Sequence, residues 1–405
     1  MSFGFGLAFP RAVPLVGGPT LNFQFAGSTT LDPQITFTRA STATYFDSAG
    51  VLQSAAVDAP RLDYNPSTLA AQGLLIEEAR TNLLLQSGWA GATSGSPGAA
   101  PTSWALGFGT GTVTTVVSST AGPIASAVRF DYDNTERVFF DQAITVTSGT
   151  QYAFSIYVEA LSGAVAGDVL IVVNGTTTGT VNTFVTSPSV TGRYTLLFTA
   201  NGNGTVFLRA GAGTTAALGG TGSITLSRPQ VEAGAFPTSY IPTTTTALTR
   251  NADVASVNTL APWYNSVSGT LFVEAQGAAG IGAAPAVMAG LDDTTINNRL
   301  QLRRQSPGTI GDGRFVSSGG NWTGTATSGT LTGVNKQAAA YASSDQAGAV
   351  NGTLMTGIVS VATLPTITRL ALGDGQGSTP LNGWLRRVSY FPRRLANAEL
   401  QSLTA

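Results

Sequence analysis

The chain has 405 residues, is 42% hydrophobic and carries a formal net charge of −1. It is therefore long and apolar enough to bury sizeable cores, and it lacks the bulk field that would favour nucleic acid or anionic lipid. It contains no cysteine and no histidine, which excludes disulfides, thiolate nucleophiles, Ser-His-Asp triads and the usual zinc sites. Oxygen-only metal sites, mainly for calcium, remain open.

Charged residues are few and unusual in type. Only 10% of the chain is charged, and Lys336 is the one lysine among 20 basic residues. Arginine suits fixed, bidentate contacts, so surfaces covered by partners would explain the bias, as would genome base composition. The N-terminal stretch MSFGFGLAFPRAVPLVGG fits a signal peptide poorly. No apolar run reaches about 18 residues, so we expect no membrane-spanning helix.

Short alternating runs dominate the chain and predict strands. Segments such as QYAFSIYVEA and RYTLLFTA are separated by Gly, Asn, Asp and Pro, a pattern typical of β-sandwiches and barrels. Helical period is almost absent. The clearest helix candidate is the C-terminal LANAELQSLTA, with Asn397 as its cap. We therefore predict an all-β fold of tandem β-sandwich domains.

Three parts follow one another along the predicted fold. Residues 1–88 hold the hairpin FDSAGVL, in which Gly50 supplies a positive φ, but otherwise few regular strands, so this module should lean on another part. Residues 89–245 carry about eight strands, as in a jelly roll, between a Gly/Ser/Ala/Pro run and an extended linker containing Pro237 and Pro242. Trp89 and Trp104 should close that core. Residues 246–405 predict a second sandwich.

The stretch GLLIEEARTNLLLQS concentrates charge between two apolar runs. Glu77 and Glu78 could be a catalytic pair, but adjacent residues of a strand point to opposite faces. We interpret the stretch as a structural joint: an apolar strand enters a bend, one glutamate pairs with Arg80, and Asn82 caps the turn. Replacing Arg80 by alanine should then disorder the junction between the first module and the jelly roll.

A short sequence repeat occurs near two boundaries between the predicted parts. FTRAST at 37–42 and LTRNAD at 248–253 both place a Thr-Arg pair there. In a chain so rich in threonine, chance would produce the same echo.

Three segments carry a resemblance to bacteriophage virion proteins of the fibre and head-spike type. The first is FTRASTATYFDSAGVLQSAAVDAPRLDYNP followed by GLLIEEARTNLLLQS, which looks like a module that recurs in such proteins. The second, PQVEAGAFPTSYIPTTTTALTRNADVAS, is similar to the segment that closes a carbohydrate-binding-module-like jelly roll. The third, GWLRRVSYFPRRLANAELQSLTA, resembles the end of a concanavalin A-like, laminin-G-like domain.

The resemblance implies a virion surface protein on head or tail that meets host glycan. Its partners would be other virion proteins in a homo-oligomer, expected to be a trimer because fibres are built so, with residues 1–88 as the anchor. No cofactor, nucleic acid or inserted membrane is expected. Two rival functions stay open: a purely structural decoration protein that binds no sugar, and a polysaccharide depolymerase.

Sugar binding needs an aromatic face for C–H surfaces and planar polar groups for hydroxyls. The stretch DGRFVSSGGNWTG offers Asp312, Arg314, Asn321 and Trp322 in what should be a glycine-rich loop. An exposed tryptophan there would suit a sugar. The alternative is that Trp322 packs at a sandwich edge or against a neighbouring subunit.

Two further chemistries need carboxylates. FDYDNTERVFF places Asp131, Asp133, Asn134 and Glu136 close enough to hold calcium, although DNTE also fits a plain turn. Glycoside hydrolysis needs two carboxylates facing each other across the scissile bond. No Glu-x-Asp-x-x-Glu pattern occurs on a predicted strand, so we expect no enzyme activity unless distant strands bring carboxylates together.

Overall fold

The structure is a computed structural model that describes residues 17–107, 112–117, 120–133, 138–163, 170–174, 183–185, 188–212, 220–277, 286–305, 310–317, 320–327, 333–358, 360–374 and 380–405. Its contacts divide the chain into two compact units. Of the described residues, the central unit comprises those between 37 and 253, and the terminal unit comprises those between 17 and 36 and from 254 onwards. The three-part division at residues 88 and 245 stays a prediction beside this one.

Strands make up almost all regular structure, so the predicted all-β class is confirmed. The early strands are β1 (Leu21–Gln24), β2 (Thr36–Thr38), β3 (Ala43–Phe46), β4 (Leu52–Ala55), β5 (Leu62–Tyr64), β6 (Ala71–Ile76) and β7 (Arg80–Asn82). Next come β8 (Ala105–Gly107), β9 (Val113–Val117), β10 (Ser126–Tyr132), β11 (Val138–Val146), β12 (Gln151–Gly163), β13 (Leu170–Asn174), β14 (Thr183–Val185), β15 (Gly192–Thr199), β16 (Gly204–Ala212) and β17 (Gly222–Ala233).

The remaining elements lead to the C-terminus. They are β18 (Leu248–Arg250), β19 (Val254–Val257), β20 (Ser268–Gly277), β21 (Ala286–Asp292), β22 (Arg299–Gln305), β23 (Ile310–Ser317), β24 (Gly320–Thr327), β25 (Val334–Ala342), β26 (Asp345–Val350), β27 (Thr353–Leu354), β28 (Arg369–Leu372), β29 (Gly383–Phe391) and helix α1 (Asn397–Thr404). Within the described residues, no helix has the length and apolar character needed to cross a bilayer.

The central unit is a sandwich of two five-stranded sheets. One has the order β15-β12-β17-β10-β9 and the other β14-β13-β16-β11-β8. Alternation along each strand sends one set of side chains, including Phe130, Phe140 and Phe154, into the shared core. Trp89 meets Trp104, Phe130 and Phe140 edge-on at 5.5–5.9 Å between ring centroids. The expectation that Trp89 and Trp104 close this core is confirmed.

Residues 37–88 belong to this unit and pack on its sandwich. The predicted hairpin is confirmed: β3 pairs antiparallel with β4, and Gly50 in the turn has φ +73°. Phe46 and Leu52 of the hairpin form a small hydrophobic cluster with Ala121, Ala125 and Tyr240. The hairpin thus buries its apolar side chains against residues that lie between strands of the same unit.

The segment after β17 is packed as well, so the expectation of an extended linker is wrong. Phe236, Tyr240 and Ile241 are 6%, 1% and 2% exposed. Its prolines do keep it out of regular strands. They do not keep it out of the core, because burying its aromatic and aliphatic side chains lowers the free energy of the fold.

The terminal unit is a second sandwich. One sheet runs β27-β26-β25-β20-β29 with β1 added beside β29, and the other runs β19-β28-β21-β22-β23-β24. Leu271 and Val273 of the first sheet and Leu300 and Leu302 of the second are at most 1% exposed. Strand β1 has the buried–exposed alternation of a strand with one face in the core, and it pairs antiparallel with β29.

Helix α1 covers the outer face of this unit's first sheet. Leu400 is fully buried and packs with Leu395 and Phe272. The predicted helix is confirmed, but its predicted cap is wrong: the N-cap position is Ala396, one residue before Asn397. The carboxylate of Glu399 accepts a hydrogen bond from the backbone N–H of Ala396 at 2.8 Å. A side chain from the first turn of the helix therefore pairs with the N–H of the N-cap residue.

Candidate functional site

Five charged residues from distant parts of the sequence meet inside the central unit. We call them the arginine–carboxylate cluster: Arg39, Arg61, Glu77, Arg250 and Asp253. Each lies at or beside a strand end, where the backbone turns and a long side chain can reach inward. The arginines are 0–1% exposed, Glu77 is 6% exposed and Asp253 is 1% exposed. Such burial of charge is tolerated only with close pairing.

Arg61 is the centre of the cluster. One Nη donates to Glu77 Oε2 at 2.8 Å, and the other pairs with Asp253 Oδ2. The same guanidinium donates to the carbonyl oxygen of Thr44 at 3.1 Å. The backbone N–H of Glu77 donates to Asp253 Oδ2 at 2.9 Å, so the two carboxylates are also tied to each other through the main chain.

Arg39 and Arg250 complete the contacts of Asp253. Arg39 Nη1 lies 3.1 Å from Asp253 Oδ1, and Arg250 Nη1 lies 3.8 Å from Oδ2. Arg250 Nη2 lies 3.5 Å from Glu77 Oε2. Arg39 also donates to the carbonyls of Ala56 and Ala59 at 2.6 and 3.0 Å. One aspartate therefore holds three arginines from separate segments.

The electrostatics follow from this geometry. Burial alone would raise the pKa of Glu77, but Arg250, Arg61 and hydrogen bonds from Ser239 outweigh it and lower that pKa to about 2. Burial would lower the pKa of Arg61, but Asp253 and Glu77 raise it above its usual value. In Arg39 and Arg250, burial prevails and lowers the pKa. Glu77 is thus held ionised, which does not suit a general acid.

Ser239 connects the cluster to the packed segment after β17. Its backbone N–H donates to Glu77 Oε1 and its hydroxyl to Oε2, each at 2.7 Å. Arg61 donates to the same hydroxyl oxygen at 2.7 Å. The motif GLLIEEARTN and the motif AFPTSYIP are therefore held together by side chain to backbone contacts.

Arg80 pairs with Glu78, and the sequence predicted that one of the two adjacent glutamates would form this pair. Arg80 Nε donates to Glu78 Oε1 at 2.6 Å. The Arg80 guanidinium lies 5.0 Å from the ring centroid of Phe236 and against Gly234, where a Cβ atom would fall 1.5 Å from Nη1. Gly234 has φ +142°, so both space and backbone require glycine there.

Asn82 holds the turn after β7, of which it is the last residue. It is fully buried, its Oδ1 accepts the N–H groups of Leu84 and Val231, and its Nδ2 donates to the carbonyl of Ile241 at 2.8 Å. The bond to Leu84, two residues on, is the local turn contact that asparagine favours. The joint role predicted for Glu77, Glu78, Arg80 and Asn82 stays a prediction, and these contacts are the ones on which it rests.

The predicted sugar-binding residues lie in strands, so the expected glycine-rich loop is wrong. Asp312 and Arg314 belong to β23, and Asn321 and Trp322 belong to β24, which pairs with it antiparallel. The glycines are accommodated in the ladder, where Gly313 is the partner of Gly324. Successive positions of a strand belong to opposite faces, so Asn321 and Trp322 do not share one. Their side chains lie outside what the structure describes.

The predicted calcium ligands are only partly described. Asp131 Oδ1 pairs with Arg129 Nε at 3.1 Å, which engages that carboxylate. Asp133 follows the end of β10, and Asn134 and Glu136 lie outside the described residues. Among the residues that are described, no group of three His, Cys, Asp or Glu side chains could hold a metal ion. The calcium site stays a prediction.

Four members of the cluster went unrecognised as site residues. Arg39, Arg61, Arg250 and Asp253 lie up to about 200 positions apart, so no local pattern unites them. The signal was the repeated Thr-Arg pair of FTRAST and LTRNAD, since the arginine of each pair is a cluster member. The arginines of both Thr-Arg pairs therefore contact the same carboxylate, Asp253.

Comparisons with known proteins return only remote structural likeness. No protein-family profile and no curated protein matches the chain. The CBM40 domain of the Ruminococcus gnavus IT-sialidase, bound to α2,3-sialyllactose, is 14% identical with a TM-score of 0.31, covering 35% of this chain and 84% of that one. The leech intramolecular trans-sialidase, complexed with 2,7-anhydro-Neu5Ac, is 13% identical with a TM-score of 0.30, over 35% of this chain and 23% of that one.

A third structure spans more of the chain. The Trypanosoma rangeli sialidase in complex with the inhibitor DANA is 10% identical with a TM-score of 0.30, covering 76% of this chain and 53% of that one. Because these identities and TM-scores are low, the function of this chain has to be argued from its own residues.

Proposed function

We propose that this chain is a structural protein of a bacteriophage virion, a fibre, spike or surface-decoration subunit, that presents its β-sandwiches for adhesion to host surface glycan. The observation that carries the proposal is the arginine–carboxylate cluster. It is built from the two segments whose resemblance to phage fibre and head-spike proteins is longest, FTRAST to LLLQS and PQVEAG to NADVAS.

The cluster gives the two segments a structural role, so no catalytic role is needed to explain their motifs. Its carboxylates are buried and engaged by arginines, serine and main-chain donors. Buried ion pairs of this kind add little net stability, but they penalise every arrangement that leaves one charge unpaired. A chain that must hold irregular segments rigidly, as a particle surface requires, benefits from that penalty.

Adhesion rather than hydrolysis is favoured by the state of the glutamates. All six glutamates in the described ranges are engaged: Glu77, Glu78, Glu159, Glu274 and Glu399 pair with arginines, and Glu232 accepts hydrogen bonds from Gln230 and Thr238. A glycosidase of the usual two-carboxylate type needs a pair free to face the substrate. We therefore expect binding without release of sugar.

A glycan array on the purified chain, followed by a reducing-sugar assay on each hit, tests this proposal. We expect at least one glycan to bind and no reducing sugar to appear. Trp322→Ala should abolish the signal if that residue contacts sugar, whereas Trp322→Phe should keep most of it, because stacking needs an aromatic face. An array without any hit would overturn adhesion, and sugar release would overturn the non-enzymatic role.

The virion role needs a separate test. Antibody labelling of particles in electron micrographs should mark the head or tail surface, and light scattering should give the mass of three copies. Unlabelled particles would overturn the assignment to a virion.

A decoration protein without sugar binding is the second candidate. It is favoured by Trp89, Trp104 and Trp263, which are 1%, 7% and 3% exposed and thus unavailable to sugar. Antibody-labelled particles, together with a glycan array that shows no binding, would support the decoration role.

A further inference from the structure

A small recess opens beside the arginine–carboxylate cluster, wholly within the central unit. Its floor includes Thr44, Tyr240 and Arg250, each 1% exposed. Its rim includes Ser54 and Leu248, and Leu248 is 42% exposed. The cavity measures about 20 Å³. About 10–15 Å³ on this measure holds one water molecule, so the recess has room for a single small ion.

The charges next to the recess do not balance. The cluster contains three guanidinium groups and two carboxylates, which leaves one formal positive charge in contact range. Glu232 is the next carboxylate, but it is engaged by Gln230 and Thr238. It forms no ion pair with the cluster arginines in the described part of the chain. Burial lowers the pKa of Arg250 and outweighs the opposing effect of Glu77, Asp253 and Glu232.

Donors are also left over. Arg250 Nε and Arg61 Nε are buried and have no hydrogen-bond partner among the described residues. Buried guanidinium donors without acceptors are costly, because the desolvation of the donor is not offset by a hydrogen bond. Arg250 lines the recess together with Ser54 and Thr44, and the Thr44 hydroxyl already donates to the carbonyl of Tyr240. An excess of guanidinium groups over carboxylates in the ion pairs, an unpartnered guanidinium donor and the rim residue Ser54 around a one-ion cavity are together the chemistry of an anion site.

We propose that this recess binds one small monovalent anion of the halide class against Arg250. The anion would offset the positive charge of the cluster and accept from the Arg250 guanidinium, with Ser54 at the rim as a further donor. The inference concerns the stability of the central unit and does not depend on the virion role.

Thermal unfolding at constant ionic strength tests the proposal. The purified chain would be compared in sodium chloride, sodium bromide and sodium gluconate, whose anion is too large for the recess. We expect chloride and bromide to raise the melting temperature saturably, by about 2–4 °C. A nonspecific salt effect would be equal in all three salts and would not saturate.

A variant that introduces a carboxylate at the rim, compared with a matched control, locates the site. Leu248→Glu places a tethered carboxylate at the rim, where it should replace the ion and remove the halide response. Leu197→Glu changes a leucine of the same unit that is also 42% exposed but does not line the recess, so it should keep the response. Loss of the response in both variants, or in neither, would contradict the assigned place.

Crystals soaked in bromide provide a readout independent of stability. An anomalous peak within hydrogen-bond distance of Arg250 is the expected result. Equal melting temperatures in the three salts together with no peak at Arg250 would overturn the proposal.

Discussion

Glu77 is the residue in which the cluster's energetics are easiest to test. Replacing it by glutamine keeps its shape but leaves Arg61 and Arg250 with one carboxylate between them and Arg39. Removing one partner of a buried ion pair costs about 3–5 kcal/mol, so we expect Glu77→Gln to lower the free energy of unfolding of the central unit by that amount in urea titrations.

Glu78→Gln is the matched control for this change. The Glu78 side chain is 32% exposed, so its pairing with Arg80 is partly screened and should contribute less than about 1 kcal/mol. Equal losses in the two variants would contradict the central place of Glu77.

The depressed pKa of Glu77 predicts a pH dependence. Its pKa falls from 4.5 in the free side chain to about 2 in the fold, so the folded state binds fewer protons than the unfolded state. The resulting stability, about 3 kcal/mol, is fully present above pH 4.5 and is lost as the pH falls towards 2. In Glu77→Gln, the urea midpoint should change less with pH over that interval. An unchanged slope would show that other carboxylates cause the acid sensitivity.

At the scale of elements, the bend between β6 and β7 and the segment after β17 are held together through Arg80 and Gly234. Gly234→Ala should destabilise the central unit, because the added Cβ collides with the Arg80 guanidinium. Arg80→Ala should destabilise it too, by removing the contacts with Glu78 and Phe236.

A double-mutant cycle separates the collision from backbone strain. With Arg80 already alanine, Gly234→Ala should cost less, since only the strain at φ +142° remains. Strictly additive losses in the melting temperature would mean that the two residues do not interact.

Helix α1 offers a test in the terminal unit. Leu400→Ala should cost about 2–5 kcal/mol, because it leaves a cavity against Leu395 and Phe272. Asn397→Ala should be nearly neutral, since the helix cap is Ala396 and its N–H is satisfied by Glu399. A loss of about 1 kcal/mol in Asn397→Ala would instead mark Asn397 as the cap. Differential scanning calorimetry of both variants decides.

At the scale of the whole molecule, each unit has its own hydrophobic core. We therefore expect calorimetry to show two unfolding transitions. Glu77→Gln should shift the transition of the central unit and Leu400→Ala that of the terminal unit. A single transition shifted by both variants would contradict this assignment.

The sequence by itself determined the fold class, because alternation with period two and turn residues act over a few positions. The same local chemistry predicted the hairpin at Gly50, the final helix and the core role of Trp89 and Trp104. It also marked GLLIEEARTNLLLQS as a place where charge has a structural use, since two glutamates side by side in a strand cannot face one substrate.

Only the tertiary structure decided where long-range partners meet. Asp253 pairs with Arg39, 214 positions away, and with Arg61, 192 positions away, and no periodicity encodes such a pairing. The same holds for the burial of Phe236 and Tyr240 in a segment whose prolines predicted a linker. It holds too for β1, which pairs with the last strand of the chain. Local propensity sets which segments are extended, whereas charge pairing and burial across the fold set what each segment contacts.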